Sequence, residues 1–327
     1  MIQVSNVSRE FKVASKEKGF RGAVKNVFAP VWEVKKAVDN ISFSISDGEA
    51  VGFIGPNGAG KSTTVKMLSG ILHPTIGDID VNGFKPYRDR QKYVGSIGVV
   101  FGQRSQLWRE LTINDTFDLL KHIYKIPEPE FSKNMEMFND ILELHTFDKQ
   151  AVRQLSLGQR MRADIVAAFL HNPSVVFLDE PTIGLDVLAK ERIRDFLTVV
   201  NKERGTTLLF TTHDLKDIET TCRRVMIIDG GQIIYDGSIE DIKRRYGKRR
   251  WLTVEFTDTI NIASDLYMGV NITQDTENPA KWHFSFNTEY PAPELISTLC
   301  ATHPVKDLTI QEPELEAIIR EIYEGRV

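Results

Sequence analysis

Two short stretches hold residues that could do chemistry. Residues 55–62 read GPNGAGKS, and residues 176–186 read VFLDEPTIGLD. The first matches the pattern G-x-x-x-x-G-K-[ST], in which glycines let a loop turn so that backbone N–H groups converge on phosphate oxygens. Gly55, Gly58 and Gly60 supply that freedom, Pro56, Asn57 and Ala59 complete the loop, and Lys61, Ser62 and Thr63 open a helix whose positive end adds to the field. Lys61 would bridge the β- and γ-phosphates of a bound nucleotide, and the Ser62 hydroxyl would sit on Mg²⁺. In the second stretch, Asp179 and Glu180 end the apolar run Val175, Val176, Phe177, Leu178. Adjacent carboxylates at the edge of a core repel each other and are costly to desolvate, so they call for a positive partner. A metal ion beside a phosphate loop is such a partner. Asp179 would hold Mg²⁺, directly or through water, and Glu180 would activate or position the water that attacks the γ-phosphate.

These groups need a scaffold that brings two distant segments together. Val51 to Ile54 reads as a strand feeding the glycine-rich loop, and KSTTVKMLSGIL reads as the helix after it. Residues 1–13 and 37–54 alternate like strands, with a turn at Asp47-Gly48. Residues 106–172 read as mostly helical, interrupted near Pro127 and Pro129. From 174 the pattern is strand, helix, strand, with LLFTTHD as the second strand. RVMIIDGGQIIYDG reads as a hairpin turned at Gly230-Gly231. WLTVEF, WHFSF and VKDLTI then read as strands and ELISTLCATH and PELEAIIREIY as helices, which predicts a second, small α+β domain over 247–327 after a first domain over 1–246.

With 41 basic and 45 acidic residues among 327, the charge is nearly balanced, and no nucleic-acid footprint is expected. The two cysteines, Cys222 and Cys300, make neither a metal motif nor a disulfide framework and suit a reducing compartment. No apolar run approaches a membrane span, and MIQVSNVSREF lacks the apolar core of a signal peptide, so a cytoplasmic location is expected.

LSLGQ, residues 155–159, adds a helix start with capping-box spacing between Ser156 and Gln159. Taken together and in order, GPNGAGKS, LSLGQ, LDEP (178–181), GLD (184–186) and TTHD (211–214) resemble the ATP-binding subunit of an ABC transporter over roughly residues 1–240. The PNGAGKST and EPTIGLD continuations and the C-terminal extension are most similar to subunits that serve exporters. The resemblance implies a P-loop NTPase core with a mixed sheet, an antiparallel β subdomain and a helical subdomain. It also implies an energy-coupling ATPase in which two cassettes stack head to tail, as a homodimer or with a second cassette, on transmembrane permease subunits at the inner face of the cell membrane. Ser156, Leu157, Gly158 and Gln159 would then meet the γ-phosphate bound by the partner cassette. Gln103 would sense Mg²⁺ or the attacking water, His213 would contact the γ-phosphate, and Asp186 would lie on the loop that crosses the dimer. Phe11 is the leading candidate to stack on the base, ahead of Phe20 and Trp32. Leu157 stands where the family has glycine. As the first residue of a helix it needs only helical angles, so the site is expected to work.

Residues 12–36 hold seven basic and two acidic residues, and Phe20, Val24, Val27, Phe28 and Val31 are spaced to line one helix face. They are expected to form an inserted basic amphipathic helix, either a surface decoration or a contact with lipid headgroups or the permease. KRRYGKRR, residues 243–250, reads as a linker or solvated helix end. The competing function is a soluble single-cassette ATPase that assembles a complex, which differs in having no membrane partner.

Overall fold

The computed structural model describes residues 1–14, 32–102, 104–247, 249–262, 267–311 and 315–323. The chain forms two compact units, Met1–Gly237 and Ser238–Val327.

Among the described residues the first unit holds two sheets. In the smaller, β1 (Ile2–Ala14) lies between β2 (Trp32–Ile45) and a later strand, β4 (Ile76–Val81), and both pairings are antiparallel. Ile41, Phe43 and Ile45 are buried while Ser42 and Ser44 are exposed, the alternation of a sheet with one wet face. β4 leaves β1 at the pair Ser8–Ile76, but β2 follows β1 out to Ala14–Trp32. The far end is thus a two-stranded ribbon with Val13, Trp32 and Val34 about half exposed. This corrects the expectation of a helix over 12–36 at both edges. Lys12–Ala14 and Trp32–Lys36 are strand, and the helix-face residues Phe20, Val24, Val27, Phe28 and Val31 lie outside the described residues.

The larger sheet has the order β5-β6-β7-β3-β8-β9. It is built from β3 (Ala50–Ile54), β5 (Ile97–Phe101), β6 (Val175–Asp179), β7 (Thr207–Thr211), β8 (Arg224–Asp229) and β9 (Gln232–Ser238). The five strands from β5 to β8 run parallel. AVGFI, VVFLD and TLLFT are buried at every position, which is why they read as unbroken apolar runs. Strand register aligns Phe101, Asp179 and Thr211 at one level, so the carboxyl ends of β5, β6 and β7 share an edge. Ligands of open parallel sheets bind outside that edge.

Helix α1 (Lys61–Leu68) follows β3 and packs Val65 and Leu68 into the core with Phe53, Phe177 and Leu209. A short helix, α2 (Arg90–Val94), precedes β5. The helical region comprises α3 (Ile113–Tyr124), α4 (Glu128–Leu142) and α5 (Leu157–Phe169). The break near the two prolines is as expected: α3 ends at Lys125 in the left-handed conformation, and Pro127 caps α4. Helix α6 (Val187–Arg204) joins β6 to β7, and α7 (Leu215–Thr221) joins β7 to β8. Gly230 and Gly231 both take positive φ in the turn between β8 and β9.

The second unit begins with α8 (Ile239–Tyr246), which the sequence had placed in the first domain. Its sheet has the order β11-β12-β10-β13, from β10 (Arg249–Phe256), β11 (Val270–Gln274), β12 (Lys281–Asn287) and β13 (Val305–Gln311). Helix α9 (Ala292–Thr302) covers Leu252, Val254, Phe284 and Phe286 with Leu295 and Leu299, and α10 (Leu315–Tyr323) ends the described chain. Strand β11 had no expectation in the sequence. The basic run 243–250 spans the end of α8 and the start of β10, with Lys248 outside the described residues.

Candidate active site

The glycine-rich loop turns from β3 into α1 where backbone crowds backbone. A Cβ on Gly55 would lie 2.2 Å from the Ile228 carbonyl oxygen, and one on Gly60 2.6 Å from that of Ala37. Gly60 also takes φ of 114°, which disfavours any other residue. No side chain caps α1, and no acidic residue enters its first turn. The amino end of the helix therefore lines the cleft, through Gly60, Lys61, Ser62 and Thr63, without a capping side chain.

Lys61 folds back over this loop. Its Nζ donates to the Gly55 carbonyl at 2.6 Å and to that of Pro56 at 3.2 Å. Burial pushes its ammonium pKa down, while Glu180 and Asp179 oppose the shift. A desolvated cation at the mouth of an uncapped helix end is a strong anion site.

Asp179 is buried behind Ser62. Its Oδ1 accepts from Ser62 Oγ at 3.1 Å and from Thr211 Oγ1 at 2.7 Å. Ser62 and Asp179 thus present hard oxygens side by side, the donor set that suits Mg²⁺. Among the described residues no group of three His, Cys, Asp or Glu forms a metal cage. Mg²⁺ needs none, because it takes one or two carboxylates and fills the rest with phosphate and water.

Glu180 follows with φ of 56°, a left-handed conformation that costs roughly 1–3 kcal/mol in a non-glycine residue. Its backbone N–H donates to the Thr211 carbonyl at 3.0 Å and Thr211 Oγ1 at 3.1 Å. Its Oε2 lies 2.6 Å from His213 Nδ1. Asn57, Gly58, Gly60, Lys61, Ser62, Thr63, Glu180, Ile183 and His213 line a cleft of about 530 Å³. Gly55, Pro56 and Ala59 form the floor of the loop; the Ala59 N–H donates to Pro56, and the Ala59 carbonyl accepts from Gly231.

The LSLGQ segment is elsewhere in the unit. Ser156 caps α5, accepting from the Gln159 N–H at 3.2 Å, while Gln159 Oε1 accepts from the Ser156 N–H at 2.9 Å. This capping box stabilises the helix start by about 1 kcal/mol. Leu157 opens the helix without positive φ. A Cβ on Gly184 would lie 3.1 Å from Leu157 Cδ2, and one on Gly158 3.8 Å from Asp186 Oδ2. Asp186 caps α6 through the Ala189 N–H at 2.9 Å. Residues 156–159 and Asp186 therefore form one surface, and none of them lines the cleft.

Two aromatic candidates are not at the cleft. Phe11 pairs with Lys35 on the ribbon, with the Arg9 guanidinium 4.7 Å from its ring centre, and Trp32 is exposed at the ribbon's end. Phe20 and Gln103 lie outside the described residues. Thr211 and Ile183 were missed. Thr211 bonds both acidic residues, and the strand alignment of LLFTT with VVFLD was the signal that could have found it.

Residues 38–183 match the family described as ABC transporter. The chain is 31% identical over 210 residues to the ABC transporter ATP-binding protein NatA of Bacillus subtilis, spanning 64% of this chain and 85% of that protein. It is 34% identical over 213 residues to the linearmycin resistance ATP-binding protein LnrL of the same organism, spanning 65% of this chain and 68% of that protein. The dimeric structure of a post-hydrolysis state of the ATP-binding cassette MJ0796, bound to ADP and Pi, overlays with a TM-score of 0.60 at 27% identity, covering 73% of this chain and 99% of that one. The cleft, its acidic pair and these relatives agree: the chain belongs to the ATP-hydrolysing ATP-binding proteins of the ABC transporter family.

Proposed function

We propose that this chain is the energy-coupling subunit of an exporter, and that two cassettes close head to tail on ATP before a membrane permease is driven. The observation that carries the pairing is that the capped start of α5 lies on the surface, apart from the cleft that holds Lys61 and Glu180. Ser156 Oγ accepts from within the helix, which leaves its own hydrogen to donate to a phosphate held by a second chain.

In this reading Lys61 and the loop N–H groups hold the β- and γ-phosphates. Mg²⁺, when bound through Ser62 and Asp179, neutralises phosphate charge. Glu180 takes a proton from the attacking water, and His213 steadies its carboxylate through the 2.6 Å contact. Asp186 lies beside the capped helix start, where a closing partner would meet it. Among the described residues no helix is long and apolar enough to cross a membrane, which fits attachment at the inner face through the permease. The resistance role in LnrL's name supports export for this chain. The second unit is assigned an accessory, regulatory role.

Glu180→Gln should cut turnover to a small residual rate and trap an ATP-bound dimer, read by light scattering with ATP and Mg²⁺. Full hydrolysis by that variant removes Glu180 from the base role. Pull-down of the detergent-solubilised protein with mass spectrometry tests the partner: a polytopic membrane protein in near-stoichiometric amount is expected, and recovery of soluble partners alone would replace the exporter with an assembly ATPase.

A further inference from the structure

Glu180 holds a left-handed backbone at the point where its carboxylate must aim into the cleft. A strained residue relaxes unless the structure fixes the chain on both sides of it. On the amino side the two bonds from the Glu180 N–H to Thr211 do this. The carboxyl side is held two residues on. Thr182 Oγ1 donates to Asp217 Oδ2 at 2.6 Å, and the other oxygen of Asp217 accepts from Arg194 Nη1 at 3.0 Å. Thr182 is 1% exposed and Asp217 0%.

We infer that Asp217, paired with Arg194 and bonded to Thr182, is a positioning residue that pins the strained Glu180 against His213. A fully buried carboxylate with both oxygens engaged has no water to exchange into, so the contact is fixed rather than fluctuating. Asp217 sits in the first turn of α7, which starts just after His213, and the neighbouring Asp214 is tied to Lys190 at 2.6 Å. One carboxylate thus joins the loop of Glu180 to the helix behind His213. Arg194 completes the link from α6, whose cap is Asp186.

This inference rests on Glu180 acting as the base, and the two can fail separately. Thr182→Val keeps the shape and removes the hydroxyl. It should lower kcat about tenfold with the ATP dissociation constant unchanged, because misaimed groups lose rate rather than binding. Thr182→Ser should recover the rate. In a Glu180→Gln background, Thr182→Val should leave the residual rate as it was, a silence that a general loss of stability would not produce. Asp217→Asn, which keeps an oxygen for Thr182 but removes the negative charge facing Arg194, should lower kcat about three- to fivefold and serves if Thr182→Val does not fold. A kcat within twofold of wild type in Thr182→Val, or in Asp217→Asn where that variant is used, overturns the anchor. An equal loss in the Glu180→Gln background also overturns it. Full hydrolysis by Glu180→Gln alone would sink the base assignment and leave the anchor effect to be read in Thr182→Val by itself.

Discussion

Helices α1 and α5 both start on loops rich in glycine or serine, yet their amino ends are finished in opposite ways. At α1 the cap is Gly60, and no side-chain hydrogen bond closes the helix end. At α5 Ser156 and Gln159 satisfy each other's N–H groups. The open end keeps its donors and field for an anion that arrives from solution. The closed end stands stable by itself and offers one hydroxyl hydrogen. The first geometry suits tight capture, and the second suits a contact that must form and release in each cycle.

The comparison can be broken first at the open end. Lys61→Ala should weaken ATP binding by roughly 10–100-fold, since a charge-assisted bond is worth about 1.5–3 kcal/mol; a fluorescent-nucleotide titration that shows wild-type affinity would refute the assignment. The next test concerns the body of α5. Asp164 accepts from Ser105 Oγ at 3.0 Å and the Gln106 N–H at 2.9 Å, and burial pushes its carboxyl up to about 6. A folded pKa above the unfolded one favours the protonated folded form. Stability from this group is therefore present below about pH 4 and lost as pH rises through 6, by roughly 2–3 kcal/mol. Urea midpoints of wild type, relative to Asp164→Asn, should fall between pH 4 and pH 6.5; a constant difference would contradict the shift.

At the closed end the effects shrink. Ser156→Ala should cost about 1 kcal/mol in thermal unfolding and reduce hydrolysis, with ATP binding to the single chain unchanged. Unchanged hydrolysis would take Ser156 out of the composite site. Leu157→Gly should leave ATPase activity within a few-fold, because the first helical position needs no positive φ. Loss of activity would mean that the leucine's contact beside Gly184 is required.

How far the sequence could be read follows from the range of each interaction. The glycine-rich loop, the carboxylate pair and the capping box are local, so a few adjacent residues announce them. The parallel strands were legible because burial on both faces leaves unbroken apolar runs. The ribbon end was not: Trp32 and Val34 alternate with charges, but they face solvent on both sides, and the basic residues resembled a helix surface. Thr182, Asp217 and Arg194 were also invisible as a set, since each is an ordinary polar residue until folding brings α6, α7 and the Glu180 loop together. The resemblance puts the base-stacking aromatic in the first strand region, where Phe11 lies on the ribbon with the Arg9 guanidinium over its ring.

The positive φ of Glu180 has an evolutionary and practical consequence. A glycine or asparagine at 180 would tolerate the left-handed backbone better, so selection for thermal tolerance alone should drive this position away from glutamate. Laboratory evolution under heat, without demand for turnover, is then expected to yield sturdier proteins that still bind nucleotide and no longer spend it. On its proposed role as the base, Glu180 should persist only where turnover is demanded, and its loss in a heat-selected library would mark the moment that requirement was lifted.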